Sequence, residues 1–259
     1  MLKYPGSKWK ISDWLLSHFP EHKVYLEPFF GSGACFFKKE PSYLETINDI
    51  DKDVVNLFRV CRESPDELIE LLEFTPFSRA EFIDCYERSE NPIEQARRTL
   101  VRYHQSFGTS NSSKNTWRNC QMSGGPRPAT MWNYLPGAVQ YCFERLKNAQ
   151  IECTDAVELI KRYSSKETLI YCDPPYLQDL RKRYLYHKEM SDEEHKQLLE
   201  VLLESKSNII LSGYDNELYN NMLQGWNTDT TVANIQFGKK RIEKIWFNFD
   251  NPNYYYTLI

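Results

Sequence analysis

No stretch of this chain limits its fold more than Thr168-Leu169-Ile170-Tyr171-Cys172-Asp173-Pro174-Pro175-Tyr176. Four apolar or aromatic residues predict a short buried strand, which runs directly into an acid, two prolines and a tyrosine. Each proline fixes its own φ, lacks an N–H and pushes the residue before it out of the helical region. The backbone after Cys172 is therefore extended and stiff, with carbonyls unpaired and pointing outward. A carboxylate acceptor, a carbonyl acceptor and an aromatic face then stand on one rigid piece of chain. Those three suit a planar exocyclic amine such as the NH2 of adenine or cytosine. Asp173 and the Pro174 carbonyl take its two N–H groups, Pro175 completes the rigid turn, and Tyr176 stacks on the ring as platforms do for extruded bases. Taking both hydrogens favours a pyramidal, more nucleophilic nitrogen. The plain alternative is a strand followed by a proline turn.

A second strand-to-turn unit lies upstream. Val24-Tyr25-Leu26-Glu27 reads as a buried strand that breaks at Pro28 and enters Phe29-Phe30-Gly31-Ser32-Gly33-Ala34-Cys35-Phe36. Strand, glycine-rich turn and helix make half of a doubly wound α/β unit, in which ligands sit beyond the strand's C-terminal end. The dinucleotide fingerprint needs a third glycine where Phe36 stands, so an NAD site is disfavoured. Glu27 also suits a cationic or amino-bearing ligand better than a pyrophosphate. Tyr43 to Ile50 predicts the next strand, ending in Asp49, an acid placed to bond the two ribose hydroxyls of an adenosine moiety or to help cap the following helix. Ile151-Glu152-Cys153 predicts a third strand leading to Asp155, which either caps the next helix or faces the ligand. In a doubly wound sheet the first strand and the Asp-Pro-Pro-Tyr strand are neighbours where strand order reverses, so Gly31 and Asp173 should flank one crevice.

A net charge of −4 across 259 residues argues weakly against a nucleic-acid binder, but the distribution matters more. Between Glu94 and Glu144 there is no acid, while Arg97, Arg98, Arg102, Lys114, Arg118 and Arg127 all fall there. Helices with clear caps precede it, among them Ser78-x-x-Glu81 and Asn91-Pro92-x-Glu94. From Gly108 to Asn133 the chain is rich in small polar residues with Trp117, Arg118, Arg127 and Trp132 interspersed, a composition that suits phosphates, base edges and stacking or equally a solvated loop. Arg102, Lys114, Trp117, Arg118 and Arg127 are therefore candidate DNA contacts. Asp179 to Lys188 adds Arg181 and Arg183 among tyrosines, suited to the phosphates beside an extruded base. Lys239, Lys240 and Arg241 read as solvated charge, and Arg241 to Phe249 as a final long strand.

Seven cysteines, irregularly spaced and with no Cys-x-x-Cys, predict reduced thiols and a cytoplasmic compartment. A motif beginning by Tyr4 leaves no room for a signal peptide, and no apolar run approaches membrane-spanning length.

With these pieces in order, the sequence resembles the alpha group of amino-methyltransferases, specifically the Dam-type DNA adenine-N6 methyltransferases. Tyr4-Pro5-Gly6-Ser7-Lys8 looks like that family's Trp/Tyr-x-Gly-x-Lys element, Glu27-Pro28-Phe29-Phe30-Gly31-Ser32-Gly33 like its Glu-Pro-Phe-x-Gly-x-Gly motif, Asn48-Asp49-Ile50 like its ribose-binding acid and Asp173-Pro174-Pro175-Tyr176 like its catalytic motif. The resemblance implies an α/β fold with a doubly wound, mostly parallel sheet of the S-adenosylmethionine-dependent methyltransferase type and a helical and loop insertion. It implies a catalytic domain at 1–61 and 134–259 and an inserted DNA-reading domain at 62–133. S-adenosylmethionine contacts are implied for Tyr4, Lys8, Glu27, Phe29, Gly31, Gly33, Asp49 and Asp173, with Asp155 an adenine contact. The implied partner is double-stranded DNA, with a cognate restriction endonuclease as a further possibility and neither metal nor membrane involved. Members that read GATC carry a Tyr-Gly-Tyr-Asn-Gly-like element where Gln105-Ser106-Phe107-Gly108-Thr109-Ser110 stands here, so the resemblance does not extend to that target. Direct transfer to a flipped adenine is the expected reaction. Its rivals are cytosine-N4 methylation, glutamine-N5 methylation of a protein, which usually opens its motif with Asn, and a silent DNA-binding regulator. No Pro-Cys dipeptide is present for a cytosine-C5 route.

Overall fold

Strands buried on both faces carry apolar side chains on alternating sides, and β6 (Thr168–Cys172) is built this way. Leu169 and Tyr171 enter one core while Ile170 and Cys172 enter the other. The structure is a computed structural model that describes residues 3–108, 115–119, 127–177, 189–234 and 240–250. Its main sheet contains β1 (Val24–Glu27), β2 (Leu44–Asn48), β5 (Ala149–Glu152), β6, β7 (Asn208–Gly213), β8 (Asn227–Asn234) and β9 (Lys240–Phe247). The spatial order is β5-β2-β1-β6-β7-β9-β8, parallel from β5 to β7, with β9 antiparallel to both neighbours. Order reverses between β1 and β6, so the expected doubly wound, mostly parallel architecture is present.

Helices α1 (Ser12–Leu16), α2 (Ala34–Lys38), α3 (Lys52–Glu63), α8 (Leu135–Leu146), α9 (Ala156–Arg162), α10 (Asp192–Glu204) and α11 (Glu217–Met222) flank the sheet. The intervening stretch forms α4 (Pro65–Phe74), α5 (Arg79–Asp84), α6 (Pro92–His104) and α7 (Pro128–Trp132), with a two-stranded hairpin of β3 (Ser106–Phe107) and β4 (Thr116–Trp117). Leu68, Leu72, Phe82, Leu100 and Trp132 from this stretch share one core with Tyr25, Ile47, Leu169 and Tyr171 of the sheet. The expected division at 61/62 falls inside α3, near its end.

Several expected elements differ in detail. The Tyr4-Pro5-Gly6-Ser7-Lys8 turn predicts a following helix of about ten residues with Trp14, Leu15 and Phe19 as apolar positions, but α1 is five residues long, because Ser17 and the turn to Pro20 close it. The third strand starts at Ala149 and ends at Glu152. The last strand starts at Lys240, ends at Phe247 and pairs with β8, which carries the β-branched residues Thr228, Thr230, Thr231 and Val232. Ser78 accepts from Glu81 N, but its own N–H goes to Gln105 Oε1, and the Glu81 carboxylate is taken by Arg97. Only half of that capping box is formed, whereas Ser191 and Glu194 form a full one at α10.

Two glycines fix the turn after β1. Gly31 and Gly33 have φ of +50° and +65°, and a Cβ at Gly33 would sit 2.4 Å from Phe30 Cζ. Phe36, in place of a third fingerprint glycine, is fully buried edge-on to Phe37 at 5.1 Å. Such a ring contributes about 1.5–3 kcal/mol by burial and keeps α2 further from the sheet than a glycine would.

Candidate active site

The C-terminal ends of β1, β2, β5 and β6 open onto one cavity of about 690 Å³ at the point of strand reversal. Tyr4, Lys8, Glu27, Phe29, Gly31, Asp49, Asp155 and Asp173 all line it, so the structure brings together eight of the nine expected cofactor residues. Gly33 is the ninth and stands one step behind, where it starts α2. Asp49 Oδ2 accepts from Gly31 N at 2.8 Å and Oδ1 from Asp51 N at 2.9 Å, which locks the β2 acid to the β1 turn. The Asn48 amide reaches Pro28 O at 2.9 Å and exchanges two bonds with the Thr154 backbone, joining the ends of β1, β2 and β5. Asp155 caps α9 through Val157 N and Glu158 N and still faces the cavity, so both readings of this residue hold geometrically.

Burial governs the charge of these acids. The period of two along β1 puts Tyr25 and Glu27 on one face, and the Tyr25 hydroxyl donates to Glu27 Oε2 at 2.8 Å. Desolvation pushes the Glu27 carboxyl up to about 8, helped by the nearby Asp173 charge and opposed by the Tyr25 bond. Desolvation likewise raises Asp49 to about 6 against the bonds it accepts from the backbone of Asp51 and Gly31. The cavity therefore holds acids that gain by meeting cations or hydroxyl donors. An adenosine unit carrying an ammonium and a sulfonium suits that set of acceptors, and the bare Gly31 lets the Tyr4 ring pack against the turn, since a Cβ there would sit 2.9 Å from Tyr4 Cδ1.

At the other end stands the Asp-Pro-Pro-Tyr turn. Lys8 Nζ donates to both carboxylate oxygens of Asp173 at 2.7 Å and to Gly6 O at 2.9 Å. Ser212 Oγ donates to Asp173 Oδ1 at 3.0 Å, because the β6–β7 register pairs Cys172 with Leu211 and sets the next residues side by side. The Tyr171 hydroxyl lies 3.3 Å from the same Ser212 oxygen. The sequence predicts an open ring at Tyr176. Instead it is buried, with Lys8 Nζ 4.8 Å from its centroid, Tyr214 edge-on at 4.5 Å, and its hydroxyl donating to Glu243 Oε1.

Glu243 is the residue that sequence reasoning passes over. It sits on β9, 4% exposed, with its Oε1 3.6 Å from Lys8 Nζ. Burial raises its carboxyl, against the pull of Lys8. Alternation along β9 is the available signal, since Glu243 shares a face with the core residues Ile245 and Phe247. Ser212 and Tyr214 escape notice because they adjoin the site from β7 and from the residue just after its end.

The expected DNA contacts divide. Arg97 pairs with Glu81 at 2.6 Å and Glu94 at 2.7 Å, and Arg98 with Glu94 at 2.7 Å. Arg102 pairs with Asp53 at 3.2 Å, with 14% of its side chain exposed. Acids from α3, α5 and the first turn of α6 thus turn these arginines inward, and Arg102 is corrected from a phosphate contact to an internal tie. Trp117 packs against the core beside Phe77, with the Arg79 guanidinium 4.9 Å from its ring. Arg118 is half-buried and close enough to Lys3 to depress its ammonium, which desolvation and Arg118 together lower to about 8. Arg127 is exposed at the start of α7. Arg241 lies against Tyr214, donating to its hydroxyl at 2.8 Å, instead of being simply solvated. Lys114, Arg181 and Arg183 lie outside the described residues. Among the described residues no helix is long and apolar enough to cross a membrane, and no group of three or more His, Cys, Asp or Glu is gathered to hold a metal.

Comparison with known proteins agrees with this geometry. Residues 4–243 match the family model described as D12 class N6 adenine-specific DNA methyltransferase. A DNA adenine methylase of Haemophilus influenzae is 28% identical over 186 residues, 68% of this chain and 63% of that protein. One of Vibrio cholerae is 25% identical over 185 residues, 68% of this chain and 64% of that protein. The chain thus spans less than two thirds of the length of both. The type II methyltransferase M.MjaIII of Methanocaldococcus jannaschii is 25% identical over 289 residues, covering 95% of this chain and 96% of that protein.

Proposed function

The chain belongs to the D12 class of N6 adenine-specific DNA methyltransferases, and from that premise we propose that it methylates the N6 amine of an adenine flipped out of duplex DNA. The observation that carries the proposal is that Asp173, at the end of β6, opens into the same cavity as the Gly31 turn and the acids of β1 and β2. Acceptor and methyl donor would meet at one point, and placement of that kind supplies much of the rate in a direct transfer.

S-adenosylmethionine would supply an electrophilic methyl group on sulfur. Asp49 would take its ribose hydroxyls and Glu27 its ammonium, while the left-handed backbone at Gly31 lets the chain approach closely. Asp173 and the Pro174 carbonyl would accept the two N6 hydrogens, directing the nitrogen lone pair at the methyl carbon. As the amine nitrogen took up the methyl group it would gain positive charge, and Asp173 would stand ready to receive its surplus proton. Tyr176 would stack on the base once the ring is uncovered. Flipping costs a few kcal/mol, which stacking and the amine's hydrogen bonds offset.

The helices and hairpin between 62 and 133 would read the DNA, with Arg118 and Arg127 as phosphate contacts. The test is to incubate the purified protein with unmethylated plasmid and S-adenosylmethionine, digest to nucleosides and identify the product by mass spectrometry. N6-methyladenine is expected. N4-methylcytosine would move the substrate to the other exocyclic amine, and no methylated base on several DNAs would sink the proposal.

A further inference from the structure

Lys8 occupies the group that the target amine must use. Its ammonium holds both Asp173 oxygens at 2.7 Å, while Ser212 takes one of them as well. With Lys8 in place, an incoming N6 amine meets a carboxylate that already takes three hydrogen bonds and whose negative charge, needed as the nitrogen turns cationic, is held by an ammonium. Lys8 must yield, and it must do so inside the protein, since 7% of its side chain is exposed. A buried ammonium needs a carboxylate wherever it moves.

The structure holds such a partner within a short side-chain rotation. Glu243 Oε1 lies 3.6 Å from Lys8 Nζ, and the Glu243 side chain is 5% exposed. The Tyr176 hydroxyl donates to that same oxygen, so the glutamate is anchored to the tyrosine of the Asp-Pro-Pro-Tyr turn. Lys8 also lies against the Tyr176 ring, 4.8 Å from its centroid. We propose that Glu243 is a positioning residue that receives the Lys8 ammonium when the target amine takes Asp173, and that holds Tyr176 by its hydroxyl as the ring is uncovered. The free enzyme keeps the ammonium on Asp173; the DNA-loaded enzyme keeps it on Glu243. One movement would both free the acceptor and draw the ammonium away from the Tyr176 ring. The substrate named in this proposal rests on the adenine-methylation reading, whereas the two stations for Lys8 do not.

Two experiments decide it. The first needs no turnover: a crystal structure of Asp173→Asn, which removes the charge that now holds Lys8. Lys8 Nζ is expected within about 3 Å of Glu243 Oε1, with the Tyr176 hydroxyl still bonded there. Lys8 remaining on the amide at position 173, or turned away from both, would overturn the proposal. The second is a double-mutant cycle in single-turnover methylation. Glu243→Gln keeps an acceptor for the Tyr176 hydroxyl but removes the charge. It should hold S-adenosylmethionine within about threefold of the wild type yet transfer methyl roughly 100-fold more slowly. In a Lys8→Met background the same substitution should cost less than about threefold, because no ammonium is left to relocate. Equal losses in both backgrounds would overturn the coupling. If Glu243→Gln fails to fold, the Asp173→Asn structure decides alone. A wild type that methylates no DNA would remove the proposed function while leaving the position of Lys8 to be read from that structure.

Discussion

Glu27 lies 2% exposed with its carboxyl pushed up to about 8, and the Tyr25 hydroxyl has become its partner inside the protein. Because its folded-state value stands above its unfolded one, the stability it contributes is full below the ordinary glutamate range and is lost as pH rises toward about 8. Glu27→Gln removes that loss. Thermal melts from pH 6 to 9 without ligand should show the variant gaining on the wild type as pH rises, at about 2–4 °C per kcal/mol recovered for a chain of this size. Cofactor affinity should move the other way: it should rise through about pH 8 in the wild type as the carboxylate forms and stay weak and flat in the variant. Parallel melting curves would contradict the burial account. Gly33 makes a second residue-scale test, since its φ of +65° and a Cβ only 2.4 Å from Phe30 Cζ leave no room for alanine. Gly33→Ala should lose roughly 1–3 kcal/mol in urea unfolding from backbone strain alone, more if the phenylalanines cannot shift.

Between elements, the β2 residue Glu45 joins the chain after α2 to α8. Its carboxylate receives Lys39 and the Arg145 guanidinium, with Nη2 at 2.9 Å, and is 3% exposed. Desolvation raises Glu45, but the bonds from Arg145 and Lys39 win and hold it below the usual range. Its contribution is therefore present above the unfolded glutamate value and lost as pH falls through the folded one. Glu45→Gln leaves two cations short of a charge and should lose roughly 3–5 kcal/mol at neutral pH, shrinking in acid. Urea unfolding at pH 7 and pH 4 checks both the size and the sign. The strand ends at this scale are legible in the sequence because proline and glycine punctuate them: Pro28 ends β1 before Gly31 and Gly33 turn the chain into α2, and Pro174 and Pro175 follow the end of β6. The internal ties are not. Glu45, Ser212 and Glu243 are ordinary polar residues in their own strands, and only lateral pairing sets each beside its partners. Hence the motif residues around the cavity can be named from the sequence, while Glu243 beneath Tyr176 cannot.

Over the whole molecule, the acid-free stretch from 95 to 143 misleads as a map of surface charge. Arg97, Arg98 and Arg102 stand in it without an acid inside that stretch, yet Glu81, Glu94 and Asp53 meet them in space. Within the described residues, the expected DNA contact Arg127 is exposed and Arg118 is half-buried. Replacing both with alanine should flatten the dependence of log affinity for duplex DNA on log salt by up to about 0.9 for each phosphate left without its cation. Arg97→Gln should leave that slope unchanged and lower the melting temperature. Binding measured at several salt concentrations separates the two classes, and a slope that changes with Arg97 would contradict the inward assignment. The central claim for the molecule is that cofactor and amine meet at the β1–β6 reversal, with Asp173 acting on the amine. The most direct measurement pairs S-adenosylmethionine titration with single-turnover methyl transfer to DNA for the wild type and Asp173→Ala. The account predicts affinity within a few-fold of the wild type and transfer slowed by about a thousandfold or more, as expected when an acceptor aimed at the reacting nitrogen is removed. Transfer at a near wild-type rate in Asp173→Ala would contradict it.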